Sequence, residues 1–213
     1  MLNVAIMSIG NELMNGSTID TNSSWLAKKI SSFESLQVTS KITVEDDIYA
    51  IKKNLNFLIK KKYKFIFITG GLGPTHDDVT KKALSIYFKT KIILKKSYLN
   101  ELKTFFKKQN VENFSHLESQ AQILDISTLI RNKKGTALGM YINKGGSQIF
   151  VLPGVPLEMK DMVKKGVIPL YIEPYHKHSI NSITILTTGI YESKLYDILK
   201  EDIQNNINKF NLS

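Results

Sequence analysis

Phe65-Ile66-Phe67-Ile68-Thr69-Gly70-Gly71-Leu72-Gly73-Pro74-Thr75-His76-Asp77-Asp78-Val79-Thr80 is the stretch whose reading decides the fold. It opens with a continuous apolar run, the mark of a strand buried on both faces of a parallel sheet. Three glycines then fall within four positions, where the backbone can turn sharply and approach a ligand without a Cβ in the way. A helical pattern follows at Val79, Ala83, Leu84, Tyr87 and Phe88. A glycine-rich loop between a strand and a helix start offers backbone N–H groups and a positive dipole end, both suited to phosphate. Asp77 and Asp78 beside it suggest a divalent cation held by oxygen ligands. The plain alternative is a structural turn, with either aspartate capping the helix and the glycines serving the turn alone.

Outward from this stretch, strands and helices alternate, which predicts a parallel or mixed α/β sheet. Strands are expected at 4–9, 37–44, 65–69, 128–131, 137–142 and 148–152. Helices are expected after a cap at Asp20 or Thr21, and over 48–60, 78–88, 98–108, 118–121 and 157–164, the last opened by Pro156. Beyond Pro169 the character changes. His176 and His178 fall in a linker-like stretch and read as surface residues, 182–188 is β-rich, and 192–203 is helical. The expected division is therefore an α/β domain over 1–170 and the start of a small, incomplete α+β lobe over 171–213.

Composition narrows the function classes. No apolar run in the 213 residues approaches the ~20 needed to span a membrane, and Met1 to Met7 enter a strand pattern at once, without the features of a signal peptide. There are no cysteines, which excludes disulfides and thiolate metal sites, and the expected location is the cytoplasm. The net charge of +10 invites a nucleic-acid reading, but of 29 basic residues only Arg131 is an arginine. Base readout leans on arginine, and the lysine clusters trace no single stripe, so they read as solvated surface. The positive field can still draw in an anionic nucleotide.

Four segments each follow a core strand: Gly10-Asn11-Glu12, Glu45-Asp46-Asp47, the Gly70 to Thr80 loop and Pro153-Gly154-Val155-Pro156. Ligands of open α/β sheets bind outside the carboxyl ends of the strands, where such loops converge. That convergence brings Glu12, Asp46, Asp77 and Asp78 to one crevice on a glycine-rich cradle.

These residues resemble a known family. Ser8-Ile9-Gly10-Asn11-Glu12-Leu13 with Gly16 and Asp20-Thr21-Asn22 is similar to its N-terminal motif, and Thr69 to Thr80 to its T-G-G-L-G-P-T-x-D-D-x-T signature. Asn132, Gly135, Ala137 and Gly139 resemble its N-x-x-G-x-A-x-G segment, and Leu152 to Met159 its L-P-G-x-P-x-E-M. This is the competence/damage-inducible protein A family, whose core is the molybdopterin-binding fold shared with molybdopterin adenylyltransferases. The resemblance implies a three-layer α/β/α sandwich with a mostly parallel sheet, a nucleotide or pterin ligand at the strand ends, and a homodimer or homotrimer. It also implies a metal-dependent ADP-ribose pyrophosphatase. Many members carry a C-terminal nicotinamide-nucleotide amidase domain; this sequence does not contain it, so amidase activity is not transferred. The first motif departs from the common G-D-E in having Asn11, which offers a carbonyl oxygen but no charge.

The leading expectation is thus a hydrolase of ADP-ribose using Mg²⁺, Mn²⁺, Co²⁺ or Ni²⁺. Asp77, Asp78 and Asp46 would hold the cation, and Asp78, Glu12 and Asp46 would carry the catalysis, Glu12 as an acid or general base. Gly70, Gly71, Leu72, Gly73, Pro74, Thr75, His76 and Thr80 would contact the substrate, with Asn22, Gly135, Pro153 and Gly154 from the flanking motifs. The alternatives are a molybdopterin-binding or adenylyl-transferring protein using the same loop, and a non-catalytic nucleotide-binding module.

Overall fold

The computed structural model describes residues 1–107, 117–177 and 185–206. These fall into two compact units, Met1–Ile180 and Asn181–Ser213. The first holds the sheet. Strand β1 is Leu2–Ile9, β2 Leu36–Val44 and β3 Phe65–Thr69; β4 Ile92–Leu94 and β5 Gln122–Leu124 pair with each other; β6 Thr128–Ile130, β7 Gly139–Lys144 and β8 Ser147–Leu152 complete the set. The main sheet runs β2-β1-β3-β8-β7-β6. Its first four strands are parallel, and β7 and β6 are added antiparallel to their neighbours. The small antiparallel pair β4/β5 was not legible in the sequence, where Ile92–Leu94 and Gln122–Leu124 are too short to show a period.

Period-two alternation sorts the strand side chains into two cores. Ala5, Met7, Ile66, Ile68, Ile149 and Val151 face one side, against Ile51, Leu55 and Leu58 of α3 (Ile48–Lys60), Ala83 and Leu84 of α4 (Thr80–Phe88), and Leu99 and Leu102 of α5 (Lys96–Lys107). Val4, Ile6, Phe65, Phe67, Phe150 and Leu152 face the other, against Leu26 and Ile30 of α2 (Thr21–Ile30) and the helical segment after β8. That segment begins as α7, Pro156–Met162, and continues as a wider π-type helix, Val163–Ile172. Pro169, which has no N–H to donate, lies within the wide turns. Helices on both faces of a mostly parallel sheet give the expected three layers, and β3, buried at every residue, is the central strand its composition predicts.

Two one-turn helices, α1 (Asn11–Met14) and α6 (Leu117–Gln120), sit in the loops that shape the site. The first unit runs past the 170/171 boundary expected from the sequence. Ile172 is fully buried, and His176, far from being a plain surface residue, bonds the Ser35 hydroxyl at 2.6 Å and packs edge-on against Phe65. Burial and the nearby Lys64 hold the His176 pKa below its usual value. His178 lies outside the described residues, as do 182–184 of the stretch expected to be β-rich; its described part, 185–188, forms no strand. The second unit contributes α8, Glu192–Asn206, which covers the predicted helix. Among the described residues no helix is long and apolar enough to cross a membrane.

Candidate functional site

From β1 the chain crosses to β2 on one side and then to β3 on the other, so the carboxyl ends of β1 and β3 form a topological switch point. Gly10 and Gly70 mark the two strand ends. Gly70 has φ +103, and a Cβ there would overlap the Ile9 carbonyl, so the two backbones close on each other only through glycine. Gly71, at φ +64, packs against the Thr80 hydroxyl. Thr80 is fully buried and ties the helix start to the turn: its N–H donates to the Gly71 carbonyl at 3.2 Å and its hydroxyl to the Gly70 carbonyl at 3.0 Å.

Asp78 is the centre of the loop. Its Oδ1 accepts from Gly73 N at 2.8 Å, and its Oδ2 accepts from Thr75 N at 2.9 Å and the Thr75 hydroxyl at 2.5 Å. It caps no helix, since the residue flanking α4 is Val79 and no side chain caps that end. Asp77 and His76 project outward, with side-chain exposures of 58% and 101%. The neighbouring Thr75 hydroxyl and the residue's own backbone N–H lower the Asp77 pKa. With Gly70 N donating to the Leu152 carbonyl, the cradle amides with no acceptor among the described residues are those of Gly71 and Leu72. The anticipated phosphate cradle is thus narrower than the loop sequence implied, because Asp78 already occupies the amides of Gly73 and Thr75.

Asn11 and Asp46 clasp the β1 and β2 loops together. Asn11 N donates to Asp46 Oδ2 at 2.8 Å, and Asp46 N donates to Asn11 Oδ1 at 3.2 Å. The Asp46 pKa is raised, chiefly by burial, against the lowering bond from Asn11 N, with further upward pressure from Glu12, Asp77 and Asp78. Glu12 folds back over Gly10, where a Cβ would overlap its carboxylate. These loops enclose a cleft of about 410 Å³ whose lining, among the described residues, includes the five carboxylates of Glu12, Asp46, Asp77, Asp78 and Glu158 and no lysine, arginine or histidine. The chain around this acidic cleft carries a net charge of +10. Lys81, a buried cation that feels the Asp78 charge, donates to the Ser119 carbonyl; burial pushes its pKa down to about 8, opposed by Asp78.

Of the residues expected to contact a ligand, Gly70, Gly71, Leu72, Gly73, Pro74, Pro153 and Gly154 line the cleft. Thr75, His76, Thr80, Asn22 and Gly135 do not. Asn22 instead supports the wall from behind, donating to the Gly154 carbonyl at 2.6 Å. Gly135 donates to Asn132 Oδ1 and gives room for the Glu158 carboxylate. Sequence reasoning missed Glu158, Gln120 and Thr136. Glu158 was visible in the L-P-G-x-P-x-E-M segment, whereas Gln120 enters through the short helix α6, joining Leu72 to Thr136 by its amide.

A family model described as "Probable molybdopterin binding domain" matches residues 5–172, nearly the whole first unit. The chain belongs to this family, on its CinA-like branch. It is 35% identical over 196 residues to a competence-damage inducible protein of Caldicellulosiruptor bescii, covering 92% of this chain and 47% of that protein. It is likewise 35% identical over 212 residues to a CinA-like protein of Flavobacterium psychrophilum, covering 98% of this chain and 50% of that one. The chain therefore spans about half the length of these relatives. Among solved structures, the CinA protein of Thermoplasma acidophilum superposes with a TM-score of 0.70 at 27% identity, covering 80% of this chain and 97% of that one. The molybdopterin biosynthesis enzyme MoaB of Thermus thermophilus shares the fold, with a TM-score of 0.54 at 18% identity over 82% of this chain and 94% of that one. All four family motifs recognised in the sequence contribute to the lining of the cleft, together with Asp46 and Gln120.

The side chains of the cleft suit one kind of cation better than another. Among the described residues no group of three or more His, Asp or Glu side chains is gathered as a ligand cage. Asp46 and Asp78 each spend oxygens on backbone N–H groups of other residues, while Glu12 and Asp77 accept none from a neighbour's backbone. That set fits an octahedral, water-retaining ion of the Mg²⁺ kind, which needs one or two carboxylates and takes its remaining oxygens from substrate phosphates. It does not fit a cage built wholly from protein.

Proposed function

We propose that the chain hydrolyses ADP-ribose or a closely similar nucleoside diphosphate sugar in a reaction that depends on a divalent cation. The observation that carries this reading is the charge of the cleft: among the described residues, five carboxylates with no basic side chain, set around two uncommitted amides of a glycine loop. A diphosphate repels such a lining, so it enters with a cation that compensates both. When bound, the cation neutralises phosphate charge and polarises the phosphoryl group. Asp77 and Asp46 would hold it, with Asp78 fixing the loop. The Gly71 and Leu72 N–H groups bind the phosphate oxygens. Glu12, whose carboxylate is free over Gly10, accepts the proton of the attacking water.

A second reading, a pterin phosphate ligand, draws its support from the molybdopterin-binding family itself. Incubation of the purified chain with ADP-ribose and each of Mg²⁺, Mn²⁺, Co²⁺ and Ni²⁺ distinguishes the two. The expected result is AMP and ribose 5-phosphate, abolished by a chelator. No product with any of the four ions, together with tight binding of a pterin phosphate, would favour the second reading.

A further inference from the structure

We infer that Glu158 reads a nucleoside ribose hydroxyl and makes the cleft selective for ribo- over deoxyribonucleotides. This rests on the diphosphate reading above and names the part of the ligand that reading leaves unassigned. The Glu158 carboxylate is immobilised. Its Oε2 accepts from Asn132 Nδ2 at 2.6 Å, and Asn132 is itself buried. Asn132 accepts from the N–H groups of Lys134 and Gly135, each at 2.9 Å, and donates to the Ala137 carbonyl at 3.1 Å. A Cβ at Gly135 would overlap the carboxylate, so the loop reaches it only at a glycine. Oε1 has no donor among the described residues, and no cationic side chain lines the cleft to supply one.

A fixed acceptor in the wall of a cleft offers its open lone pairs to a donor that the ligand brings. A phosphate cannot be that donor, since it repels a carboxylate; it belongs on the Gly71 and Leu72 amides. Gln120 spans the interval between them, its amide meeting the Leu72 carbonyl and the Thr136 hydroxyl. What lies against Glu158 is therefore the non-phosphate part. A pterin or guanine edge presents two parallel donors and matches a carboxylate that offers both oxygens equally, whereas the 2.6 Å bond from Asn132 engages Oε2 and leaves Oε1 as the oxygen with no donor. One hydroxyl on the remaining oxygen is the better complement, and carboxylates take ribose hydroxyls in this way at the strand ends of α/β sheets. The apolar lining of Leu72, Ala137, Pro153 and Val155 suits the adjoining base.

The test is calorimetric titration of ADP, 2′-deoxy-ADP and 3′-deoxy-ADP, all with Mg²⁺, into wild type, Glu158→Gln and Glu158→Ala. Wild type should prefer ADP over one deoxy form by about tenfold to a hundredfold, the range of a charge-assisted hydrogen bond. Glu158→Ala should erase the preference. Glu158→Gln keeps the volume and the Asn132 contact, so it should fold normally and retain only a small preference. A residue that merely shapes the Asn132 loop would weaken all three ligands equally and leave the ratio intact, which would overturn the inference. Absence of a preference in wild type would overturn it too. So would a shift confined to Mg²⁺ affinity, or a GDP-over-IDP preference erased by Glu158→Ala. Because the readout is a binding ratio, it stands or falls separately from turnover: a wild-type preference that Glu158→Ala erases, in a protein that hydrolyses no ADP-ribose, would uphold Glu158 and reject the hydrolase.

Discussion

At the scale of single residues, two carboxylates of the same cleft have opposite roles. Asp78 accepts three hydrogen bonds from Gly73 and Thr75, which an asparagine cannot reproduce: one of its two heads is a donor and would face an N–H. Asp78→Asn should lower the unfolding free energy by about 1–3 kcal/mol, seen as an earlier urea midpoint at unchanged slope. An unchanged midpoint would mean that these loop bonds contribute nothing. Asp46 is strained in the other direction, its pKa raised by burial and by Glu12, Asp77 and Asp78. For an acid whose folded pKa lies above its unfolded one, the folded state binds more protons between the two values, so stability falls as pH rises through that window. Above the folded pKa the whole penalty is present; below the unfolded value, near 3.8, it is gone. Asp46→Asn, whose Oδ1 can still accept from Asn11 N, should therefore raise the melting temperature of the metal-free protein at pH 7, with the gain shrinking on acidification. A gain that persisted unchanged at pH 3 would point to packing rather than charge. Asn11, whose missing charge stood out in the sequence, is used for its geometry: it offers Oδ1 to Asp46 N while its own N–H holds the Asp46 carboxylate.

At the scale of elements, the turn between β3 and α4 depends on where glycine is required. Gly71→Ala combines a left-handed φ of +64 with a Cβ that overlaps the Thr80 hydroxyl. Gly16→Ala, at φ +78 with nothing within 4 Å, carries only the backbone strain. The second should cost about 1–2 kcal/mol and the first about 2–5 kcal/mol, measured by thermal or urea unfolding. Equal losses would show that the Thr80 contact yields without cost. This turn also shows what a sequence discloses. The run Phe65 to Thr69 announces a doubly buried strand because every one of its residues packs, Phe65 and Phe67 into one core and Ile66 and Ile68 into the other. The loops after β1, β2, β3 and β8 were legible as walls of one crevice because strand-end convergence follows from topology alone. What was not legible is which partner each polar group would choose. Asn22, Thr80 and Gly135 sit in the motifs, yet their bonds run to Gly154, Gly70 and Asn132 behind the surface, since buried backbone groups claim the nearest side chain. Gln120 arrives from a helix of one turn, and the π-type helix around Pro169 has no period that apolar spacing reveals.

At the scale of the whole molecule, a chain of net charge +10 lines the cleft at its strand ends with carboxylates and, among the described residues, with no basic side chain. The outer field attracts an anion, while the lining refuses one that comes alone. The two facts are reconciled by a ligand that arrives with its own cation, and that is the central claim about this protein. Calorimetric titration of ADP-ribose into the full chain, first in a chelating buffer and then with Mg²⁺, tests it most directly. No measurable binding is expected in the chelator, and saturable binding once Mg²⁺ is present. Equal affinity in the two buffers would contradict the claim, because the Gly71 and Leu72 amides would then suffice to hold a diphosphate against five carboxylates.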